Sequence, residues 1–469
     1  MYNKKSHIHF VGIGGIGMSG IATILKQQGY TISGCDTDIC QQSIHNLKAL
    51  GCTVHQGNNS AACNDPSIDI LVYSSAIHED NSEIRSAQER GIPTIPRALM
   101  LSELMRTKYS IAIAGAHGKT TTTSLISHIL IEAQMDPTVI IGGLLTSISN
   151  NARMGTGKFL VAEADESDRS FLHLHATFSV VTNIDLEHLE TYRDLEDIKN
   201  TFKQFLGNIP FYGKAIVCID DPNIQTILPL PYIKLIKYGI DNWPQADLFA
   251  KDIEFGPNSS TITVYKKDNA EPLGSMTINM PGKHNVLNAL AATSLALELA
   301  IPFETITQAL ATFKGVERRF TYRGSFKHAE IFDDYGHHPQ EINATLTVAR
   351  KRSKGRLIVL FQPHRYTRTD KLWDNFIKMF LNNPIDQLII TDIYPASESP
   401  IPGVTAENLV KAIKLKDPTF NVTYEQTNNL RHVAEQIVRP DDLVLCIGAG
   451  KHIGALAKEL PQSENHHAK

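Results

Sequence analysis

Tyr109-Ser110-Ile111-Ala112-Ile113-Ala114-Gly115-Ala116-His117-Gly118-Lys119-Thr120 is an apolar run that breaks at a glycine and continues into Thr121, Thr122 and Thr123. It reads as a buried strand turning into a helix, so that backbone N–H groups and the helix N-terminus face an anion. The glycines let amides wrap phosphates, Lys119 supplies charge at the outer phosphates, and Thr120 offers a hydroxyl to Mg²⁺. The general phosphate loop spaces its glycines by about four residues; here only Ala116 and His117 separate Gly115 from Gly118.

A loop of different design lies upstream, where Gly12-Ile13-Gly14-Gly15-Ile16-Gly17 follows the apolar His7–Val11. Its glycine spacing permits a tight turn and close approach of a pyrophosphate, and Asp36 ends the next apolar run where a ribose-binding acid is expected. Alone, this loop suits NAD, FAD or a purely structural turn. Two loops of different signature point to two phosphorylated ligands, one of them ATP.

Around these loops the chain alternates short strands and helices, which predicts parallel sheets with ligands at the carboxyl ends of their strands. Strands are expected at His7–Gly12, Thr31–Cys35, Thr53–Gln56, Ile68–Ser74 and Thr94–Pro96. A second set is expected at Tyr109–Ala114, Phe159–Glu163, Phe178–Thr182 and Lys214–Cys218. Between Phe249 and Met280 the period changes to two, as in antiparallel hairpins. An Ala/Leu-rich helix is expected over Val286–Ala300. A third set follows Arg318-Arg319-Phe320, near Glu330–Asp333, Arg356–Phe361, Gln387–Asp392, Asn421–Tyr424 and Asp442–Ile447. The fold class is α/β, with three α/β domains in series.

Composition narrows the function. The length of 469 residues suggests several domains. A formal charge of -4 disfavours nucleic acid as the main partner. No apolar run reaches the length of a membrane span, and Met1–Ser6 lacks the order of a signal peptide. Six cysteines are scattered, and Cys35-x4-Cys40 has no second pair at zinc spacing. Reduced thiols in a cytoplasmic enzyme are expected.

Other strand ends carry chemistry. Glu163-Ala164-Asp165-Glu166-Ser167-Asp168 directly follows an apolar run, which places hard oxygen ligands beside the phosphate loop. Thr182-Asn183-Ile184-Asp185-Leu186-Glu187-His188 leaves the same sheet edge. Later come Asp333-Asp334-Tyr335-Gly336-His337-His338-Pro339 and Gln362-Pro363-His364-Arg365-Tyr366-Thr367-Arg368. Arginine forks suit phosphate or carboxylate, and an acid with a tyrosine suits a ribose or an ammonium group. His337 and His338 fit helix capping or an exposed role as well as ligation.

These motifs together resemble the Mur ligases, ATP-dependent amide ligases that build the peptide stem of peptidoglycan. The resemblance spans essentially the whole chain and includes His9–Ala22, Gly115–Thr122, Glu163–Asp168, His284–Asn288, Arg318–Phe320, Asp333–Pro339 and Gln362–Arg368. Within the family it points to the branch that joins L-alanine to UDP-N-acetylmuramate through an acyl phosphate. It implies a Rossmann-like UDP-sugar domain over 1–107, a central P-loop ATPase-type domain with a hairpin extension over 108–316, and a Rossmann-like amino-acid domain over 317–469.

The resemblance also implies roles. Gly14, Gly15, Ile16, Gly17, Asp36, Ser75 and Arg97 would hold the UDP part, and Glu166, Ser167 and Asp168 would face the muramyl end. Gly115, Ala116, His117, Gly118, Lys119, Thr120 and Thr121 would hold the ATP phosphates. Asn285 and Asn288 would meet the adenine, Asp334 the ribose and Arg319 the γ-phosphate. Thr120 and Glu163 would bind one Mg²⁺ or Mn²⁺, and Glu163 with His188 a second. Tyr335, His337, Arg365 and Arg368 would surround L-alanine, with His337 or Asp334 as candidate base. A monomer or homodimer without nucleic-acid or membrane partners is expected.

Two departures stand out. Glu187 occupies a place where the family usually has aspartate, which could shift the orientation of His188. Sibling ligases use a carbamylated lysine, but the corresponding place here is near Phe202, so neither Lys199 nor Lys203 is assigned that role. The nearest rival is the recycling ligase that attaches a preformed tripeptide to the same sugar. A dehydrogenase or a non-catalytic nucleotide-binding protein is the rival from another class.

Overall fold

In the computed structural model, which describes residues 6–57, 64–74, 76–78, 80–145, 150–396 and 398–462, the apolar runs ending in glycine become parallel strands. Covered on both faces, such strands need no polar alternation. The first sheet contains β1 (His7–Val11), β2 (Thr31–Asp36), β3 (Thr53–Gln56), β4 (Ile68–Tyr73) and β5 (Thr94–Pro96), in the order β3-β2-β1-β4-β5. Ser75 lies outside the described residues.

The second sheet contains β6 (Tyr109–Ala114), β7 (Thr138–Leu145), β8 (Asn150–Arg153), β9 (Phe159–Glu163), β10 (Phe178–Val181), β11 (Lys214–Cys218), β12 (Lys234–Gly239), β13 (Leu248–Phe255), β14 (Ser260–Lys266) and β15 (Gly274–Ile278). Its order is β15-β14-β13-β12-β11-β10-β6-β9-β7-β8. The period-two segment is therefore an extension of the central sheet, joined where Tyr238 and Gly239 of β12 pair in parallel with Leu248 and Phe249. The Ala/Leu-rich helix runs over Lys283–Glu298, starting before the expected Val286.

The third sheet contains β16 (Thr321–Phe326), β17 (Ala329–Asp334), β18 (Leu357–Phe361), β19 (Gln387–Thr391), β20 (Val422–Glu425) and β21 (Leu443–Ile447), in the order β16-β17-β21-β18-β19-β20. β18 and β21 are wholly buried.

Four strands escape the sequence reading: β7, β8, β12 and β16. β7 is interrupted by Gly142-Gly143, and β12 and β16 are mostly half-buried or exposed, so neither carries a continuous apolar run.

The chain forms two compact units, one of Met1–Phe255 with Ser259–Lys314, the other of Gly256–Asn258 with Gly315–Lys469. The first unit holds two sheets because the helix Ile16–Gln27 lies on the edge of the second. A Cβ at Gly20 would stand 3.4 Å from Ile140 and 3.5 Å from Ala152. Asn151 also donates to the Ile16 carbonyl and to Ser19 Oγ.

Candidate active site

Register places the phosphate loop. Ile113 of β6 pairs with Glu163 of β9, and Ala114 pairs with Val181 of β10, so Gly115–Thr120, Glu163–Asp168 and Thr182–His188 leave one carboxyl edge. The helix Lys119–Glu132 begins directly after Gly118, which sits at φ +83°. A Cβ there would lie 2.6 Å from Asn288 Oδ1. The first-turn amides of Lys119, Thr120 and Thr121 have no intrahelical acceptor by position, which makes an anion site.

Asn183, which the sequence reading assigned no role, clasps the loop. Its Oδ1 accepts from His117 N at 2.8 Å and its Nδ2 donates to His117 O at 3.0 Å, while its carbonyl accepts from Ala116 N. Thr182 Oγ1 donates to the same His117 carbonyl at 2.6 Å. His117 Nε2 lies 3.1 Å from Asp185 Oδ2. Asn288 accepts from Thr122 Oγ1, and Asn285 donates to Pro281 O. The loop therefore arrives preshaped.

Lys119 Nζ lies 2.7 Å from Glu166 Oε1 and also donates to Gly115 O and Ala116 O. Burial opposes its charge, but the Glu166 carboxylate more than offsets this and holds the ammonium above its ordinary range. Glu166 is buried and faces Lys119 and His188; the expected role toward the muramyl end does not match that orientation. Ser167 and Asp168 make local turns, with the Ser167 carbonyl accepting from Thr191 and Asp168 capping Ser170 N.

Glu166, Glu187 and His188 each bring one donor atom within 4.8 Å of the others. Glu166 Oε2 is buried with no hydrogen-bond partner among the described residues. Two carboxylates and an imidazole suit a partly hydrated Mg²⁺ or Mn²⁺, so the residues fit the metal that the sequence implies. Burial works against charge on His188, yet hydrogen bonds to Glu166 and Glu190, with Glu187 adding, hold its pKa at about 9. Glu163 packs over β7, where a Cβ at Gly142 would stand 2.6 Å from its Oε2. Phe202 is buried edge-on against Phe171, with ring centroids 5.2 Å apart.

The first loop differs from expectation. Gly12 N and Ile13 N both donate to Cys35 O, at 2.9 and 3.0 Å, Gly14 N donates to Asp36 Oδ2 at 2.8 Å, and Gly15 N donates to Gly12 O. These amides are committed inside the fold, so anion-facing donors begin at the helix start, Ile16 and Gly17. Asp36 is buried as the brace of Gly14 and Asp38. Arg97 lies against Gly17, where a Cβ would be 2.9 Å from its Nη1, and pairs with Asp165 Oδ2 at 3.3 Å. That pair connects the first loop to the carboxyl edge of the second sheet.

In the second unit the carboxyl ends of β17, β18 and β19 gather another set. Asp334 is buried and both oxygens accept backbone amides, Phe320 N at 2.8 Å and Gly336 N at 2.7 Å. Burial raises its pKa, with Arg319 and these amides opposing. Arg319 lies over the Tyr335 ring and 3.6 Å from Glu341. His337 Nδ1 lies 3.1 Å from the Tyr335 carbonyl. A carbonyl only accepts, so Nδ1 carries hydrogen and Nε2 a lone pair. Burial pushes the His337 pKa well below the ordinary value. His338 instead caps the helix Pro339–Arg352 in a capping box with Glu341.

Arg365 sits at φ +70°, an uncommon conformation for a side-chain-bearing residue, and pairs with Glu398 at 3.4 Å. Arg368 donates to His364 Nδ1 and O. His364 stacks on Tyr394 at 5.5 Å. His364, Tyr394 and Glu398 were not singled out as site residues in the sequence reading; the last two lie beyond the motif after β18, at the end of the neighbouring strand.

Three family models match in series: Mur ligase family, catalytic domain over residues 7–109; Mur ligase middle domain over 113–296; and Mur ligase, glutamate ligase domain over 318–450. The chain is 50% identical over 456 residues to the UDP-N-acetylmuramate–L-alanine ligase of Geotalea uraniireducens, covering 96% of both sequences. The crystal structure of the UDP-N-acetylmuramate-alanine ligase of Thermotoga maritima superposes with a TM-score of 0.81 at 26% identity, covering 99% of this chain and 100% of that one. The murein peptide ligase of Psychrobacter arcticus shares the fold, with a TM-score of 0.71 at 23% identity over 98% of each chain.

Proposed function

The chain belongs to the Mur ligase family, and from that premise we infer that it joins L-alanine to the lactyl carboxylate of UDP-N-acetylmuramate. The products are UDP-N-acetylmuramoyl-L-alanine, ADP and phosphate. Full-length likeness to the L-alanine ligases carries the choice of substrates. The meeting of Lys119, Glu166 and His188 on one sheet edge supports the phosphoryl chemistry.

The sugar carboxylate attacks the γ-phosphorus of ATP, the bond to the β,γ-bridging oxygen breaks, and an acyl phosphate forms as ADP departs. The alanine amine then attacks the acyl carbon, and phosphate leaves from the tetrahedral adduct. Such transfers depend mainly on positioning and on charge stabilisation. Lys119 and the amides of Lys119–Thr121 hold the phosphates, with Gly115–Gly118 shaped around them. Glu166, Glu187 and His188 would hold one divalent cation, and Thr120 with Glu163 would hold another. When bound, Mg²⁺ or Mn²⁺ neutralises charge on the transferring phosphoryl group.

Arg97 and the helix start at Ile16 and Gly17 receive the UDP phosphates. In the second unit Arg319 serves the γ-phosphate, while Tyr335, Arg365 and Arg368 hold the alanine. The adenine falls to Asn285 and Asn288 of the first unit, and the ribose to Asp334 of the second. His337 is the group that takes the amine proton, at Nε2, because its Nδ1 is committed to the Tyr335 carbonyl. The division at 1–107, 108–316 and 317–469 follows these three duties. Among the described residues no helix is long and apolar enough to cross a membrane, and we place the enzyme with its nucleotide substrates in the cytoplasm.

The test is phosphate release from ATP with Mg²⁺ and UDP-N-acetylmuramate, with L-alanine, the stem tripeptide, or no amine. Release that depends on L-alanine is expected. Release only with the tripeptide transfers the chain to the recycling branch, and no release with either amine removes the ligase reading.

A further inference from the structure

Two segments that carry cation ligands are fastened to each other by groups that the ligase chemistry has not used. Tyr192 Oη donates to the Glu166 carbonyl at 2.5 Å, and Thr191 Oγ1 donates to the Ser167 carbonyl at 2.6 Å. Carbonyls only accept, so the direction of both bonds is fixed. The amides of Thr191 and Tyr192 in turn donate to the His188 carbonyl, at 2.8 and 2.9 Å. The turn over 188–192 is thus closed on itself and hooked onto the backbone of Glu166 and Ser167. Tyr192 and Glu166 are each 3% exposed, so the hook is buried at its centre.

Arg169 locks the hook from the other side. Its guanidinium carbon lies 4.7 Å from the Tyr192 ring centre, and Nη2 donates to Asp197 Oδ2 at 2.6 Å and to the Thr191 carbonyl at 3.3 Å. Asp197 belongs to the first turn of the helix Leu195–Gly207. The Arg169 amide also donates to the Glu166 carbonyl at 3.1 Å, so that oxygen accepts from Arg169 and Tyr192 together. Arg169 stands at φ +61° and His188 at φ +54°. Left-handed backbone at residues with side chains persists only where the surroundings over-determine it. One such residue lies on each side of the hook.

Glu166 and His188 follow different strands, so no covalent neighbour sets the 3.7 Å between Glu166 Oε1 and His188 Nε2. The hook spans that gap through the backbone of both segments. We propose that Tyr192 and Thr191 are positioning residues for the divalent cation: by tying the Glu166 and Ser167 carbonyls to the turn that bears His188, they hold the Glu166 carboxylate and the His188 imidazole within reach of one ion. This rests on the reading of Glu166, Glu187 and His188 as cation ligands. Removing either hydroxyl leaves those three side chains in the protein and loosens what spaces them.

Mn²⁺ binding to the nucleotide-free full chain, read by electron paramagnetic resonance, tests this through a double-mutant cycle. Tyr192→Phe keeps the ring under Arg169 and removes the hydroxyl, and is expected to weaken Mn²⁺ binding about tenfold. In a Glu166→Gln background the same change should make less than about a twofold difference, because the carboxylate that the hydroxyl places is already gone. An equal loss in both backgrounds means a general loosening of the fold and overturns the proposal, as does unchanged binding in Tyr192→Phe alone. Thr191 gives an independent arm should Tyr192→Phe fold poorly. Thr191→Val is expected to weaken Mn²⁺ binding, and Thr191→Ser, which keeps a hydroxyl, to bind like the wild type. If Thr191→Val and Thr191→Ser bind alike, the proposal is overturned. If Glu166→Gln by itself leaves Mn²⁺ binding unchanged, the cation reading is what fails, and the proposal falls with it.

Discussion

Lys119 Nζ lies 2.7 Å from Glu166 Oε1, and the same oxygen lies 3.7 Å from His188 Nε2. One carboxylate thus stands between the lysine of the phosphate loop and the histidine of the metal face. Glu166→Gln keeps the shape and removes the charge. Mn²⁺ affinity, read by electron paramagnetic resonance, is expected to weaken by about 10- to 100-fold. Unchanged Mn²⁺ binding would remove Glu166 from the cation site.

Lys119→Met tests the phosphate contact itself. The kcat for phosphate release is expected to fall by about 10²- to 10³-fold, as for loss of a preorganised donor to developing charge. Melting should stay cooperative, since the loop is clasped by Asn183 and Thr182 independently of Lys119. A variant with near-normal turnover contradicts the assignment.

Gly118→Ala places a side chain at φ +83° and pushes its Cβ against Asn288 Oδ1. The left-handed conformation alone costs about 1–2 kcal/mol. A lower melting temperature and a raised KM for ATP are expected together. A tolerated alanine with unchanged KM would mean that the Gly118–Asn288 approach does not shape the loop.

His364 gives stability a pH dependence. Burial, then Arg368 and Arg365, depress its pKa to about 4. In the unfolded chain it protonates near the ordinary value of about 6.5, so between these limits the unfolded state binds the extra proton. The contribution is present above about 6.5 and is lost as pH falls toward 4, amounting to at most about 3 kcal/mol. His364→Gln should flatten urea-unfolding stability across that acid window; an unchanged slope would show that His364 does not carry it.

Asp334→Asn faces a donor with a donor. Both native oxygens accept amides, from Phe320 and Gly336, so an Nδ2 must oppose one of them. Destabilisation of about 1–3 kcal/mol is expected in thermal or chemical unfolding. Wild-type stability would show that the turn relaxes around the new amide and that these two contacts do not hold it.

Much of this site was legible in the chain because strand ends are local signals. An apolar run followed by glycine, lysine and threonine marks both the sheet edge and the helix start, and Glu163 and Asn183 fall on the same edge by the same rule. Orientation was less legible. That Asp36 turns inward to Gly14, and Glu166 toward Lys119, follows from which strands become neighbours, and no local period encodes that pairing. β7 escaped because Gly142-Gly143 reads as a break; the structure has a glycine there beside Glu163.

The central claim is that the carboxylate of the sugar is activated by phosphorylation before the amine attacks. UDP-N-acetylmuramate labelled with oxygen-18 in both lactyl carboxylate oxygens, incubated with ATP, Mg²⁺ and L-alanine, tests it by mass analysis of the released phosphate. Each phosphate is expected to carry one oxygen-18, because the carboxylate oxygen that attacked phosphorus leaves with it. Phosphate free of label, formed at the same rate as the amide, would contradict the account.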